Sequence, residues 1–428
     1  MKHLRHPARD QGRKIVVVLG GGFGGLTATQ VLARYPEVQV LLFDRRNHHL
    51  FQPLLYQVAT AALNPADIAV PIRAQFSDDD NVEVHLGSAE IVDLDARVVI
   101  GGGYEVEYDY LVVALGAQHS YFGRPEWEEH APGLKTLEQA TEIRRRVLAA
   151  FEEAENEFDP ERQRQELTFV VVGGGPTGVE MAGAIADISR TVIVSDFRRI
   201  DPSQARVLLI EAAPRILGAF PEDLAARARR DLEEIGVEVR TNAMVEEIDA
   251  DGVIVAGERI RARTVIWAAG VQASRLEFRP AVEHDRAGRV RVGQDLSLPG
   301  HPEVFVAGDM AALTLADGSQ LPGVAPAAIQ TGAHAARMIV RDIRHQSRED
   351  YRYRDKGLMA TIGKSRAIAV AGPLKLTGHI AWFAWLFVHI YYLIGFRNRL
   401  GVMWQWIWSY VFSRRGARLI TEREWRSR

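Results

Sequence analysis

The sequence has no cysteine in its 428 residues. That excludes disulfide staples, thiolate metal ligands and every redox route that passes through a protein thiol. It also lacks a large charge of either sign. A formal net charge of −3 with 25% charged residues describes an ordinary globular body, with no electrostatic footprint for nucleic acid. No hydrophobic run of signal-peptide length precedes the first strand. The basic, His-containing segment 1–14 therefore reads as a disordered leader on a protein that is not exported. His48 and His334 have no neighbours at metal-ligand spacing, so no metal is expected. The length suffices for two or three domains, each with its own core.

What the chain does have is glycine in a fixed pattern. Residues 15–19 are a β-branched apolar run, suited to a strand buried on both faces. Gly20, Gly22 and Gly25 follow in GxGxxG register, with Phe23 and Gly24 inside the loop, and residues 26–34 supply a helix. In that motif the first glycine makes the tight turn and the second lets a pyrophosphate approach the backbone. The third lets the helix pack close to the strand, its free N–H groups aimed at the phosphates. A second apolar run, 38–43, ends in Asp44, placed to accept hydrogen bonds from a ribose diol.

The pattern then repeats. Gly173, Gly175 and Gly178 form a second GxGxxG containing Pro176 and Thr177, and the strand over 206–210 ends in Glu211. The first glycines stand 153 residues apart (20 and 173), two Val-Glu-Val runs 155 apart (82 and 237), and two closing glycines 154 apart (116 and 270). The closing runs are Ala114-Leu115-Gly116 and Ala268-Ala269-Gly270, and the Val-Glu-Val runs read as openings of small antiparallel meanders. The chain thus reads as α/β, with two Rossmann-like dinucleotide-binding domains. Two dinucleotides in one polypeptide suggest a flavin and a nicotinamide, since hydride transfer needs a donor beside an acceptor. A carboxylate at Glu211 favours a free ribose 2′-OH, hence NADH over NADPH, although Arg215 stands four residues on.

Residues 47–57, broken by Pro53, follow the ribose acid directly; they suit either a cofactor-flanking segment or a plain surface connection. Residues 304–312 form one more strand, ending in Gly308-Asp309, where an acid can bond a sugar-alcohol hydroxyl. Residues 378–412 hold five of the eight tryptophans: 382, 385, 404, 406 and 408. Arg397 and Arg399 stand between two aromatic stretches, 379–396 and 402–412, and Arg414, Arg415 and Arg418 follow. Rings beside arginines suit an interfacial helix on an anionic membrane. An aromatic dimer interface or a buried helical hairpin fits the same composition.

Taken together, the two glycine loops, the closing Ala-Gly runs and the Ala307-Gly308-Asp309 turn resemble the two-dinucleotide-domain flavoprotein reductases. Residues 51–56 (FQPLLY), 175–180 (GPTGVE), 355–357 (DKG) and 325–330, with the aromatic C-terminal region, resemble the type II NADH dehydrogenases. The resemblance covers essentially residues 14–420. It departs at Pro326, where the family's quinone motif usually has Gln; Ala325, Ala328 and Gln330 keep their places. The cysteine-dependent relatives are excluded. A soluble reductase of an iron–sulfur protein and an NADH-responsive redox sensor remain as other classes, and the aromatic tail argues against the first.

The resemblance implies a membrane-associated, non-proton-pumping NADH:quinone oxidoreductase, peripheral on the cytoplasmic face and homodimeric, with ubiquinone or menaquinone as acceptor. It implies FAD held non-covalently by Gly20, Gly22, Phe23, Gly24, Gly25, Asp44, Gln52, Pro53, Leu54, Ala114, Gly116, Gly308, Asp309 and Ala325. NADH would lie on Gly173, Gly175, Pro176, Thr177, Gly178, Glu211, Ala269 and Gly270. Glu180, Gln330 and Lys356 become the catalytic candidates. From residues alone, Glu180 suits a helix N-terminus for dipole reasons, and Lys356 suits an exposed turn. The implied layout is a flavin domain over 1–118 and 298–345, an NADH domain over 119–297, and a C-terminal membrane and quinone region over 346–428.

Overall fold

A computed structural model describes residues 2–4, 6–412 and 417–420. Its framework runs β1 (Lys14–Leu19), α1 (Phe23–Leu32), β2 (Val38–Asp44), α2 (Leu55–Ala59), β3 (Val82–Leu86), β4 (Tyr110–Val113) and α3 (Leu137–Asn156). It continues with β5 (Thr168–Val172), α4 (Pro176–Asp187), β6 (Arg206–Ile210), β7 (Val237–Arg240), β8 (Thr264–Trp267), β9 (His301–Val306) and α5 (Ala325–Ile343). The last part is a hairpin sheet of β10 (Leu358–Thr361), β11 (Ala367–Ala371) and β12 (Leu374–Thr377), followed by α6 (Gly378–Tyr392) and α7 (Phe396–Phe412).

The chain divides into two compact units. The first comprises 1–50, 69–118 and 271–356, the second 51–68, 119–270 and 357–428. Residues 271–297, expected with the NADH domain, thus belong with the first unit. Residues 51–68, expected with the flavin domain, belong with the second.

In the first unit the sheet order is β9-β4-β1-β2-β3, with Ser297–Leu298 on the outer edge of β9. The five named strands pair in parallel, with Val18 opposite both Leu42 and Val112. The central strands β1 and β4 are apolar almost throughout because helices cover such a sheet, whereas the edge strand β3 carries Glu83 and His85. The second unit repeats the order as β8-β5-β6-β7, again parallel, with Val172 opposite both Ile210 and Trp267.

Three local expectations change. Val82 and Val237 begin outer parallel strands of these sheets and not meanders; the meanders start at Ile91 and Val245. Both runs alternate apolar with polar, as an edge strand and a meander strand equally do, and only pairing distinguishes them. The leader is structured where described. Lys2–Leu4 pairs in parallel with Tyr104–Glu107, His6 Nε2 lies 2.7 Å from Glu83, and Arg9 pairs with Glu107. Finally, α7 starts at Phe396, so Arg397 and Arg399 lie in its first turn and not between helices.

Candidate functional site

At the first loop, Gly20 has φ +100°, and a Cβ there would lie 2.4 Å from the Ala114 carbonyl oxygen. A Cβ on Gly25 would lie 1.8 Å from the Gly20 carbonyl oxygen, so only glycine lets α1 sit this close to β1. Gly22 faces open space, the gap a pyrophosphate needs at a helix N-terminus. Asp44 Oδ2 accepts from the Gly21 N–H at 2.6 Å and Oδ1 from the Arg46 N–H at 2.7 Å, leaving lone pairs on both oxygens for hydroxyl donors. His49, buried beneath the loop, donates from Nδ1 to the Gly21 carbonyl at 2.9 Å and meets Phe23 edge-on at 5.0 Å. Burial lowers its pKa and keeps the ring neutral. Sequence reasoning passed His49 over, since one histidine of the His48-His49 pair in a polar segment carries no signal of a brace.

The second loop reproduces this geometry. Gly173 has φ +109° and packs on the Ala268–Ala269 backbone; a Cβ on Gly178 would lie 1.8 Å from the Gly173 carbonyl oxygen; Gly175 faces open space. Glu211 Oε2 accepts from the Gly174 N–H at 2.6 Å and Oε1 from the Ala213 N–H at 2.7 Å. Pro176 is the first residue of α4, where its missing N–H costs nothing, and Thr177 beside it is exposed. The Arg215 guanidinium is held by the Phe220 and Gly218 carbonyls, both at 2.9 Å.

The remaining candidates divide between the units. In the first, Gly116 and Gly308 adopt positive φ, and the Gly308 N–H donates to Thr331 at 2.9 Å. The half-buried Asp309 carboxylate has no hydrogen-bond partner among the described residues. Ala325 starts α5, and Pro326 stands in its first turn, where no carbonyl awaits its N–H. Gly24 packs toward α5, where a Cβ would lie 3.3 Å from the Ala328 carbonyl oxygen. Gln330 is committed to the backbone: its Nε2 donates to the Arg354 carbonyl and its Oε1 accepts from the Arg354 N–H, both at 2.9 Å. Lys356, two residues on, is exposed.

In the second unit, Gln52–Leu54 form a short turn with Leu54 buried, and Ala269 and Gly270 close β8. Glu180 lies in the second turn of α4. Its Oε1 accepts from the Thr361 N–H at 3.5 Å, and burial pushes its pKa up to about 8, against a small opposing effect of that N–H. It is therefore a neutral, proton-holding acid at neutral pH.

Two seats for dinucleotides on parallel sheets, each with a tight glycine loop and a strand-end acid, define a pyridine nucleotide oxidoreductase fold. A family model described as pyridine nucleotide-disulphide oxidoreductase matches residues 14–332. The type II NADH:quinone oxidoreductase Ndh of Mycobacterium tuberculosis is 43% identical over 433 residues, covering 97% of this chain and 92% of that protein. The Staphylococcus haemolyticus type II NADH:quinone oxidoreductase is 30% identical over 383 residues, covering 87% and 93%. Among solved structures, NDH2 from Plasmodium falciparum in complex with NADH shares the fold with a TM-score of 0.86 at 18% identity, over 96% of this chain and 100% of that one. The chain belongs to the type II NADH:quinone oxidoreductases, FAD-dependent enzymes that carry electrons from NADH to quinone.

Proposed function

We propose that this chain works docked on the cytoplasmic face of a membrane, with FAD held non-covalently in its first unit and NADH in its second. The observation that carries the reading is the duplicated loop in a chain without cysteine. Two dinucleotide seats with no protein thiol leave the flavin itself to hand electrons onward. When bound, FAD accepts an electron pair as hydride from NADH and passes the pair to quinone.

The protein's part is binding, orientation and proton supply. The N-termini of α1 and α4 face the pyrophosphates across Gly22 and Gly175, and Asp44 and Glu211 accept from ribose hydroxyls. Asp309 accepts from a sugar-alcohol hydroxyl. The Glu211 carboxylate repels a 2′-phosphate, which favours NADH, and the Arg215 donors are turned to the Phe220 and Gly218 carbonyls of its own loop. Glu180 holds a proton at neutral pH. Gln330 fixes residues 354–356 and so acts on quinone through the placement of Lys356.

Support for membrane docking comes from the outer faces of α6 and α7. Ile380, Phe383, Phe387 and Tyr391 form an exposed stripe on α6, and Phe396, Leu400, Trp404 and Ile407 one on α7. Trp382, Trp385 and Trp406 turn inward, so the aromatic cluster serves a core and a surface at once. Among the described residues no helix is long and apolar enough to cross a membrane. Arg397 and Arg399 open α7, as suits the anionic cytoplasmic leaflet. Arg418 pairs with Asp196 instead; Arg414 and Arg415 lie outside the described residues. The same stripe also suits the expected homodimer.

The test is anaerobic mixing of the yellow holoenzyme with NADH, then with a ubiquinone or menaquinone analogue. Bleaching followed by recovery supports the reading; bleaching with no recovery by either quinone overturns it. For docking, Phe383→Ser with Phe387→Ser should release the enzyme from anionic liposomes without loss of flavin. Continued sedimentation with liposomes would place the contact elsewhere, and retained binding with loss of a dimer would assign the stripe to self-association.

A further inference from the structure

Beside Glu180 the second unit encloses a small cavity of ≈ 70 Å³, lined in part by Glu180, Ala184, Asp187, Thr361 and Lys364. Glu180, Ala184 and Asp187 share one face of α4 at i, i+4 and i+7 spacing. The outer end of this face reaches solvent: Asp187 is half-buried and accepts a 3.3 Å hydrogen bond from the exposed Thr191 hydroxyl.

Another part of the lining is a hydrogen-bond chain whose direction is fixed by chemistry. Trp406 Nε1 can only donate, and it donates to Gln57 Oε1 at 2.8 Å. Gln57 Nε2 therefore points the other way and donates to Tyr56 Oη at 3.1 Å, and Tyr56 in turn lies 2.9 Å from Thr361 Oγ1. This chain starts at an indole N–H, which cannot be reprotonated from behind, and passes through an amide. It braces the wall but cannot feed protons to Glu180.

The cavity itself can. Trp385 also lines it; this indole is 1% exposed, and its Nε1 has no hydrogen-bond partner among the described residues. A buried N–H without an acceptor costs about 1–3 kcal/mol, so a water acceptor is the expected neighbour. The volume admits on the order of two to five waters. Seven helical residues separate the two carboxyls by about 10 Å along the axis, too far for direct transfer and within reach of two or three waters.

We propose that this cavity is the proton intake of the reaction, in which Asp187 collects a proton from solvent and cavity water passes it to Glu180. The inference rests on the quinone-reducing reading and deepens it. The overall balance is NADH + H⁺ + quinone → NAD⁺ + quinol. Hydride carries the electron pair and one hydrogen nucleus from the nicotinamide, and the second proton comes from solvent. Glu180 gives its proton toward the acceptor side and is refilled through Asp187. The titratable groups lining the cavity besides these two are Tyr56 from α2 and Lys364 from the turn after β10. Behind Trp385 on α6, His389 stacks at 4.0 Å and stays neutral, its pKa pushed down to about 4 by burial.

Two measurements on the oxidised and the NADH-reduced holoenzyme test this. In infrared difference spectra, the C=O stretch of the protonated Glu180 acid should vanish in Glu180→Gln. It should persist in Asp187→Asn but exchange with deuterium at least ~10-fold more slowly, short of the ~10²–10⁴ that a positioned acid–base group contributes. In stopped flow, Asp187→Asn should slow flavin reoxidation by a soluble quinone analogue above neutral pH, with reduction by NADH unchanged. Imidazole, a small proton carrier, should restore that rate, and Asp187→Glu should retain it. Ala184→Leu, which fills the cavity without removing charge, should reproduce the slow exchange.

Unchanged deuterium exchange in both Asp187→Asn and Ala184→Leu overturns the proposal. So does a slowing of both half-reactions that imidazole leaves untouched. If the wild-type flavin is not reoxidised by quinone at all, the functional reading falls instead; the exchange measurement still judges the cavity.

Discussion

The two nucleotide-binding units match at their loops and part company along the following helix. In both, a strand-end carboxylate accepts at 2.6 Å from the N–H after the first glycine, and the third glycine abuts the first. Beyond that, α1 runs against α5 so tightly that a Cβ on Gly332 would lie 2.0 Å from the Gly24 carbonyl oxygen. Helix α4 instead meets the turn after β10, where a Cβ on Gly183 would lie 2.6 Å from the Gly363 nitrogen. In the register of the repeat, Thr27 and Arg34 stand where the second unit has Glu180 and Asp187. Phosphate binding is a property of backbone N–H groups and survives duplication unchanged. An acid is a property of a side chain, and Glu180 and Asp187 sit where the duplication is broken.

The largest effect expected is from alanine at the third glycines. Gly25→Ala and Gly178→Ala each drive a methyl group against a carbonyl oxygen, and such overpacking against backbone should cost upward of ~3 kcal/mol locally. Gly25→Ala should purify colourless. Gly178→Ala should stay yellow but no longer be bleached by NADH. A Gly178→Ala protein without flavin that still binds NADH would reverse the assignment of the two units.

The helices can be compared through pH. With its pKa raised from 4.5 to about 8, Glu180 keeps its proton in the folded state across that interval, while the unfolded chain has lost it. The folded form then binds more protons, so stability falls as pH rises from about 4.5 to 8 and levels off above. The full span is at most ~5 kcal/mol by linkage, less where cavity water solvates the charge. Glu180→Gln removes this slope, so its Tm relative to wild type should rise more at about pH 8.5 than at about pH 5. Thr27→Gln should show no such pH dependence. Equal shifts at both pH values would mean that Glu180 is ionised throughout.

The strand-end acids should separate the cofactors more gently. A hydrogen bond to a charged group contributes about 1.5–3 kcal/mol, roughly 10- to 150-fold in affinity. Glu211→Gln should raise KM for NADH and relax discrimination against NADPH, with flavin retained. Asp44→Asn should loosen flavin, read by its release on dilution, and leave nicotinamide choice alone. Kinetics of Glu211→Gln identical to wild type for both nucleotides would remove it from the site.

The smallest effect belongs to Gln330. Gln330→Ala removes two neutral hydrogen bonds to Arg354, each contributing about 0.5–1.5 kcal/mol; because they act on quinone only through the segment they hold, reoxidation should slow by no more than the equivalent of one, roughly 2- to 13-fold. Amide exchange over residues 351–356 should rise with it. If reoxidation slows with no change in exchange, the Gln330 side chain meets quinone directly and not through the segment it holds.

Much of the binding framework was legible in the chain itself. The glycine spacing, the apolar strands and the acids at their ends act over a few residues, so local chemistry is enough to read them. The meander at Val82 was misread because an alternating strand looks the same whether its partner is parallel or antiparallel. Gln330 stood in the sequence as a catalytic candidate, and nothing in the motif announces that both ends of its amide meet the Arg354 backbone. The aromatic tail left its surroundings open in the sequence, and the structure shows Trp382, Trp385 and Trp406 buried while Phe383, Phe387 and Trp404 of the same helices are exposed.

The sequence by itself therefore determined the two dinucleotide seats, the exclusion of thiol chemistry and the family, since each depends on residue types at short, fixed spacing. Tertiary structure alone decided which tryptophans turn inward, where Gln57 and Tyr56 point, and that Asp187 shares a cavity with Glu180. Those facts rest on partners such as Tyr56 with Thr361 and Gln57 with Trp406, 305 and 349 residues apart along the chain. No periodic pattern reports contacts at that separation, because only the packing of complete elements brings them together.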